Sequence, residues 1–335
     1  MKEKNASEIP LETPPPSIDL TESNQDPPAW FKSRVLEIVG NTPWRRYPDR
    51  IQPELIKDIA DSYGVEAENV LLVRGCTEGL HLAFRFVQSQ SLSLNIPEPS
   101  YFGFAMIAKE LGMKFLYYPS GDDPAHYSFP GSWTVVCSPE NPTGFVYTRE
   151  SILDASGASS GVVLDLTYDP FSVDPHTENL KELTETNTIS ILSLSKAYGL
   201  AGVRLGLVFA KAETIHQLSK MAHTFSMDHL QLATLITLFS EDGKNWRREA
   251  IKDTIALRYH VESLIRRILP KHEIQKSQTN FISIYAKGIP GGMLEDIVER
   301  TSSKFHPNIG LLRVTVNQRT LDGLNSLASE GGSDR

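Results

Sequence analysis

A lysine set among hydroxyls, Ser193-Leu194-Ser195-Lys196, is followed by Gly199, Gly202 and Gly206, with Arg204 eight residues beyond the lysine. The runs on either side, 188–193 and 204–210, are rich in β-branched and apolar residues and read as short buried strands. A lysine at a buried strand end can form a Schiff base with a carbonyl while nearby hydroxyls and an arginine hold a phosphate. A single lysine after a strand is more often a solvated surface residue. The chemical reading therefore depends on what the other strand ends bring to it.

In open parallel sheets, ligands bind beyond the carboxyl ends of the strands. The run 70–73 is followed by Arg74-Gly75-Cys76-Thr77-Glu78-Gly79, a glycine turn opening a helix, whose free N–H groups suit a phosphate. After 92–96 comes Glu98-Pro99-Ser100-Tyr101. Tyr101 is either a ring for stacking or a rim aromatic. After 133–137 comes Ser138-Pro139-Glu140-Asn141-Pro142-Thr143-Gly144. There Asn141 is a rigidly held neutral hydrogen-bonder, or ordinary turn chemistry explains it. The run 161–165 ends on Asp165, a buried charge that needs a partner such as a protonated pyridine nitrogen. Each feature alone is weak, but one ligand would use them all: an aldehyde-bearing, phosphorylated pyridine. The lysine would take its aldehyde, the aspartate its ring nitrogen and the aromatic its face. Asn and Tyr would take its hydroxyl, and Ser, Arg and helix N–H groups its phosphate.

These residues need a framework, and the strand runs supply it. Besides those named, 114–118 is apolar, and helical patterns fall at 28–39, 52–63, 77–87, 101–111 and 150–155. Seven short apolar runs joined by helices or loops predict an α/β domain with a largely parallel sheet. From 212 the character changes to helices at 212–221, 230–239 and 245–269. Strands at 280–285 and 311–316 and a helix at 292–302 complete a smaller α+β unit. The expected organisation is a flexible arm over 1–17, an N-terminal segment over 18–45 packing with the small domain, a large cofactor domain over 46–229 and a small substrate-side domain over 230–335.

The chain has 335 residues, 40% hydrophobic and 22% charged, with a formal net charge of −8. No basic tract offsets the acidity, which argues against a nucleic-acid partner. The two cysteines, Cys76 and Cys137, lie far apart without metal-ligand spacing, so neither a disulfide framework nor a metal site is expected. No apolar run is long enough to cross a bilayer, and the first seventeen residues lack the apolar core of a secretory signal. A cytoplasmic location without membrane association is expected.

The segments Asn-Pro-Thr-Gly (141–144), Asp-Leu-Thr-Tyr (165–168) and the fourteen-residue stretch 193–206 resemble the class I/II aminotransferases of pyridoxal 5′-phosphate fold type I. Arg-Tyr-Pro-Asp (46–49), the glycine turn at 75–79, Pro-Ser-Tyr (99–101), Asn-Phe (280–281) and Leu-Arg-Val-Thr-Val (312–316) resemble the histidinol-phosphate aminotransferase branch. The resemblance runs in the family's order over roughly 40–320. It implies pyridoxal 5′-phosphate as cofactor, with Lys196 as Schiff-base lysine and proton carrier and Asp165 on the pyridine nitrogen. It implies further that Asn141 and Tyr168 meet the phenolic oxygen, and that Tyr101 stacks on the ring. Gly75, Cys76, Thr77, Ser193, Ser195 and Arg204 would bind the phosphate. Tyr47 corresponds to the tyrosine that reaches the neighbouring subunit's cofactor phosphate, which implies a homodimer with active sites at the interface. Arg313 corresponds to the arginine that forks onto the substrate carboxylate, with Asn141 beside it.

The chain also departs from the family's pattern. Leu166-Thr167 replaces the usual Glu-Ala between Asp165 and Tyr168, and Asn317 replaces a glycine. The segment that carries a phosphate-gripping arginine in relatives is Ser302-Ser303-Lys304-Phe305 here, leaving Lys304 or Arg300 as substitutes. The Asn-Glu-Asn-Pro motif survives only as Glu22-Ser23-Asn24-Gln25-Asp26-Pro27. The implied activity is ping-pong transfer of an amino group between an amino acid, or an amino-acid-like phosphate such as histidinol phosphate, and a 2-oxo acid. The alternatives are a lyase on the same scaffold, related to threonine-phosphate decarboxylase, and a non-catalytic module that keeps the fold. The second predicts loss of Lys196 or Asp165, and both are present.

Overall fold

Alternation along the strands decides how the sheet is covered. The structure, a computed structural model, describes residues 20–49 and 52–330, so the arm expected over 1–17 lies outside the described residues. The strands are β1 (Val70–Val73), β2 (Ser93–Glu98), β3 (Phe115–Pro119), β4 (Ser132–Cys137), β5 (Gly161–Asp165), β6 (Thr188–Ser193) and β7 (Gly206–Phe209). Their order in the sheet is β1-β7-β6-β5-β4-β2-β3. The helices are α1 (Ala29–Asn41), α2 (Pro53–Tyr63), α3 (Gly75–Ser89), α4 (Phe102–Glu110), α5 (Arg149–Ala158), α6 (Leu180–Thr184), α7 (Ala212–Met221) and α8 (His229–Phe239). Val135, Val163, Ile191 and Val208 pack on one face against α3, α4 and α7, while Val136, Leu164, Leu192 and Leu207 pack on the other. Both faces are therefore buried, as the continuous apolar runs require.

Six strands share one direction. β7 runs antiparallel to both β1 and β6, with Gly206 paired to Val73 and to Ser193. This reversal matters for chemistry. Arg204 precedes a strand, yet it lands at the same sheet edge as residues that follow strands. Arg204 itself adopts φ +62° and lies outside β7, which is why the strand begins two residues later than the apolar run suggests.

The smaller unit contains α9 (Glu241–Ile268), α10 (Gly291–Arg300) and α11 (Gln318–Glu330). Its sheet joins β8 (Phe281–Tyr285), β9 (Ser303–His306) and β10 (Leu311–Thr315) in the antiparallel order β8-β10-β9. Val261 and Ile265 of α9 share a core there with Ile282, Leu312 and Leu324. At its other end α9 places Trp246 and Ile251 against the large-domain core, so one helix bridges the two units.

Two parts of the stretch 18–45 pack differently, and α8, which begins at His229, meets one of them. Phe31 and Val35 of α1 join Leu232, Leu235 and Leu238 of α8 in the core of the large domain. An apolar helix face seeks whichever apolar surface is adjacent, and chain order does not name that surface. The stretch before α1 meets the sheet end and last helix of the small unit. The Asn280 side chain donates to the Thr21 carbonyl at 2.9 Å, and the Gln318 N–H donates to the Asn24 side chain at 2.7 Å.

Candidate active site

The carboxyl ends of the parallel strands open into a cavity of about 1380 Å³, closed on the far side by β9, β10 and the stretch at 20–22. Cys76, Thr77, Tyr101, Asn141, Asp165, Tyr168, Ser193, Ser195, Lys196, Arg204 and Arg313 all line it.

Asp165 ends β5 with 4% of its surface exposed. It accepts from the Thr167 N–H at 2.9 Å. Burial raises its pKa, opposed only by hydrogen bonds from Thr167. Among the described residues no cation lies against Asp165, and a buried carboxylate that faces a cavity in this way is a receptor for a cationic N–H.

Lys196 hangs from the loop after β6, and its Nζ donates to the Leu20 carbonyl. Burial pulls its pKa from 10.5 down to about 8; Glu22 opposes this, while Arg313 and Arg204 push the same way. An amine that titrates near 8 supplies a useful neutral fraction at physiological pH, as a carbonyl nucleophile requires.

Gly75, at φ +76°, opens α3 directly beneath Arg204. A Cβ on Gly75 would come within 2.7 Å of Arg204 Nη2, so only glycine lets the guanidinium lie over the helix N-terminus. Arg204 also donates to the Ala201 carbonyl at 3.2 Å. Free helix N–H groups, a guanidinium and the hydroxyls of Thr77, Ser193 and Ser195 converge there, and this donor set fits a phosphate dianion.

Asn141 is the hub on the other side. Its Oδ1 accepts from Arg313 at 2.7 Å, and its Nδ2 donates to the Tyr168 hydroxyl at 3.4 Å. Tyr168, its phenol pushed up by burial, shares a hydrogen bond of 2.8 Å with the Thr21 hydroxyl. Arg313 comes from β10 of the small domain, buried to 5% exposure. Tyr101 lies over Gly103, where a Cβ would come within 2.2 Å of its ring, and it meets Phe104 edge-on at 5.4 Å.

Two sequence candidates stand apart. Tyr47 does not line the cavity. It is 78% exposed and stacks on Phe225 at 4.6 Å. Arg300 pairs with Glu330 at 2.5 Å, away from the cavity, whereas Lys304 lines it on β9. Sequence reasoning missed the Leu20–Thr21 contacts, Thr167 as a partner of Asp165, and Glu140. The last had a signal: an acid between two prolines in a loop otherwise built of neutral residues.

A sheet with one reversed strand, a strand-end lysine and a buried carboxylate facing it across a cavity between two domains has the layout of the fold type I transferases. The chain belongs to the aminotransferase class I and II family, whose sequence profile matches residues 17–287. It is 29% identical over 292 residues to a histidinol-phosphate aminotransferase of Parabacteroides distasonis, covering 82% of this chain and 83% of that one. Its fold is similar to that of a histidinol-phosphate aminotransferase of Sinorhizobium meliloti solved in complex with pyridoxal-5′-phosphate. That match has a TM-score of 0.77 at 19% identity and covers 94% of this chain and 90% of that one. L-threonine-O-3-phosphate decarboxylase from Porphyromonas gingivalis shares the fold with a TM-score of 0.71 at 19% identity, covering 94% and 98%.

Proposed function

We propose that this chain is a pyridoxal 5′-phosphate-dependent aminotransferase that moves an amino group between an amino acid and a 2-oxo acid by a ping-pong route. The observation that carries the proposal is the placing of Lys196, with a pKa near 8, and the buried carboxylate of Asp165 around one cavity that Arg204 also lines, with Gly75 beneath it.

When bound, the cofactor supplies an aldehyde that takes up the amino group and a ring that withdraws electrons from the substrate's Cα. Lys196 would hold the aldehyde carbon and, once the substrate's amine has displaced it, its free Nζ would carry the proton between the substrate's Cα and the cofactor's C4′. To do so it releases the Leu20 carbonyl. Asp165 keeps the ring nitrogen protonated. Asn141 and Tyr168 orient the phenolic oxygen, Tyr101 covers the ring, and Arg204 with Thr77, Ser193, Ser195 and the N–H groups at Gly75–Thr77 anchors the phosphate. Arg313, steadied by Asn141, grips the substrate carboxylate, and Lys304 faces the outer part of the cavity where a substrate side chain would extend. The relatives' histidinol phosphate is one candidate substrate. A homodimer in which Tyr47 reaches the partner's cofactor phosphate, working in the cytoplasm, completes the proposal. Its support is the exposure of Tyr47 and of neighbouring Trp44, together with the absence, among the described residues, of any helix long and apolar enough to cross a membrane.

The test is a half-reaction. Amino donors added without a 2-oxo acid should convert the bound cofactor's absorbance to the pyridoxamine form, and the K196A chain should not make this conversion. Release of CO₂ without that conversion would establish the decarboxylase reading instead.

A further inference from the structure

Glu140 lies one residue behind the hub of the site, with 0% of its surface exposed. Its Oε1 accepts from the Ser100 hydroxyl at 2.6 Å and from the Asn141 N–H at 2.9 Å. Its Oε2 is buried beside the Ser120 hydroxyl, close enough for the two to interact although their geometry falls short of a well-formed hydrogen bond. Ser100 immediately precedes Tyr101, and Asn141 bonds Arg313 and Tyr168. One side chain thus links the turn after β2 to the turn after β4.

The surroundings choose the protonation state. The titratable groups facing Glu140 are Asp165 on β5, Cys137 on β4, Tyr118 on β3 and Tyr147 beyond the Asn141 turn, and none of them is a cation. Burial pushes the Glu140 pKa up to about 8, helped by Asp165 and against the lowering effect of Ser100, the Asn141 N–H and Ser120. A buried carboxylate without a counter-charge either takes a proton or draws in water. As the neutral acid, Glu140 still accepts through Oε1 and can donate from Oε2 to Ser120, so taking up the proton costs it no hydrogen bond.

We propose that Glu140 is a positioning residue of this site: its neutral carboxyl ties the Ser100–Tyr101 turn to the Asn141 turn, and its ionisation loosens both together. What the two turns hold rests on the proposed function; that Glu140 ties them does not.

The first experiment needs no ligand. Amide hydrogen exchange is followed in the full chain stripped of cofactor, on peptides covering 98–104 and 138–145, for wild type and E140Q. The glutamine keeps the acceptor and the Oε2-side donor but cannot ionise. At pH 7 the two proteins should exchange alike. From pH 7 to pH 9 the ionised fraction of a group with a pKa of about 8 rises about tenfold, so the ratio of wild-type to E140Q exchange in both turns should rise about tenfold over that range. A difference that is the same at both pH values, or confined to one turn, would overturn the proposal. S100A supplies an independent check. It should speed exchange in 98–104 at both pH values while leaving the pH response of 138–145 in place, and loss of that response would also overturn the proposal. Binding of pyridoxamine 5′-phosphate, which does not react with Lys196, provides the second experiment. The ratio of wild-type to E140Q dissociation constants should rise about tenfold from pH 7 to pH 9. If the exchange pattern appears and neither protein binds this compound, the proposed function fails while the role of Glu140 stands.

Discussion

Replacing Lys196 by methionine should make the cofactor-free protein more stable at neutral pH, although it removes the proposed catalytic amine. Burial holds the lysine near 8 where 10.5 is its ordinary value, so below pH 8 the folded chain carries a buried ammonium. At 1.36 kcal/mol per unit, that disfavours the fold by about 3 kcal/mol. The bond to the Leu20 carbonyl returns about 1 kcal/mol, which leaves a gain of about 2 kcal/mol for K196M at pH 7. Methionine is close in length and apolar, so it fills the same space. The sign with pH follows from proton counting. Between about 8 and 10.5 the unfolded chain holds a proton that the folded chain lacks, so wild-type stability rises with pH there. The advantage of K196M should therefore be full below pH 8 and nearly gone by pH 10. Urea unfolding of both proteins at pH 7 and pH 10 measures it. A variant less stable than wild type at pH 7, or an advantage unchanged at pH 10, would refute the assignment of Lys196 as a desolvated amine.

Two further substitutions test the cradle and the hub. G75A places a Cβ against Arg204 at a backbone φ of +76°. It should destabilise the fold by about 1–2 kcal/mol through the backbone alone and weaken pyridoxal 5′-phosphate binding at least about tenfold by displacing the guanidinium. G112A, at φ +65° with nothing within 4 Å, is the control that should share the first effect and not the second in thermal melts and binding titrations. N141A removes the 2.7 Å acceptor of Arg313. A bond to a charged group contributes about 1.5–3 kcal/mol, so KM for the amino donor should rise about tenfold or more in steady-state assays, and an unchanged KM would separate Arg313 from substrate binding.

Much of this architecture can be read from local pattern. The run that becomes β5 is apolar up to Asp165, and β6 interleaves apolar residues with small hydroxyl ones only, because a strand buried on both faces leaves little place for charged side chains. Chemistry-bearing residues at strand ends are legible for the same reason: a charge such as Asp165 closing an apolar run stands out. β9 was not legible, since Ser303–His306 has no apolar alternation and is a strand only because β10 pairs with it. The companion of α1 was not legible either, since any apolar surface would satisfy its buried face.

What the sequence by itself determined is a set of chemistry-bearing groups at strand ends, Lys196, Asp165, Asn141, Arg204 and the Gly75 turn, together with the sheet that carries them. Only the tertiary structure decided how they meet. It turned β7 around so that Arg204 covers Gly75, brought Arg313 across 172 positions of chain to Asn141, and set Leu20 against Lys196. It also buried Glu140 between the Ser100 and Asn141 turns, where a loop acid would ordinarily be solvated. Strand and turn propensities act over a few neighbouring residues, whereas a pKa or a hydrogen bond between domains depends on which distant surfaces remove water from the group.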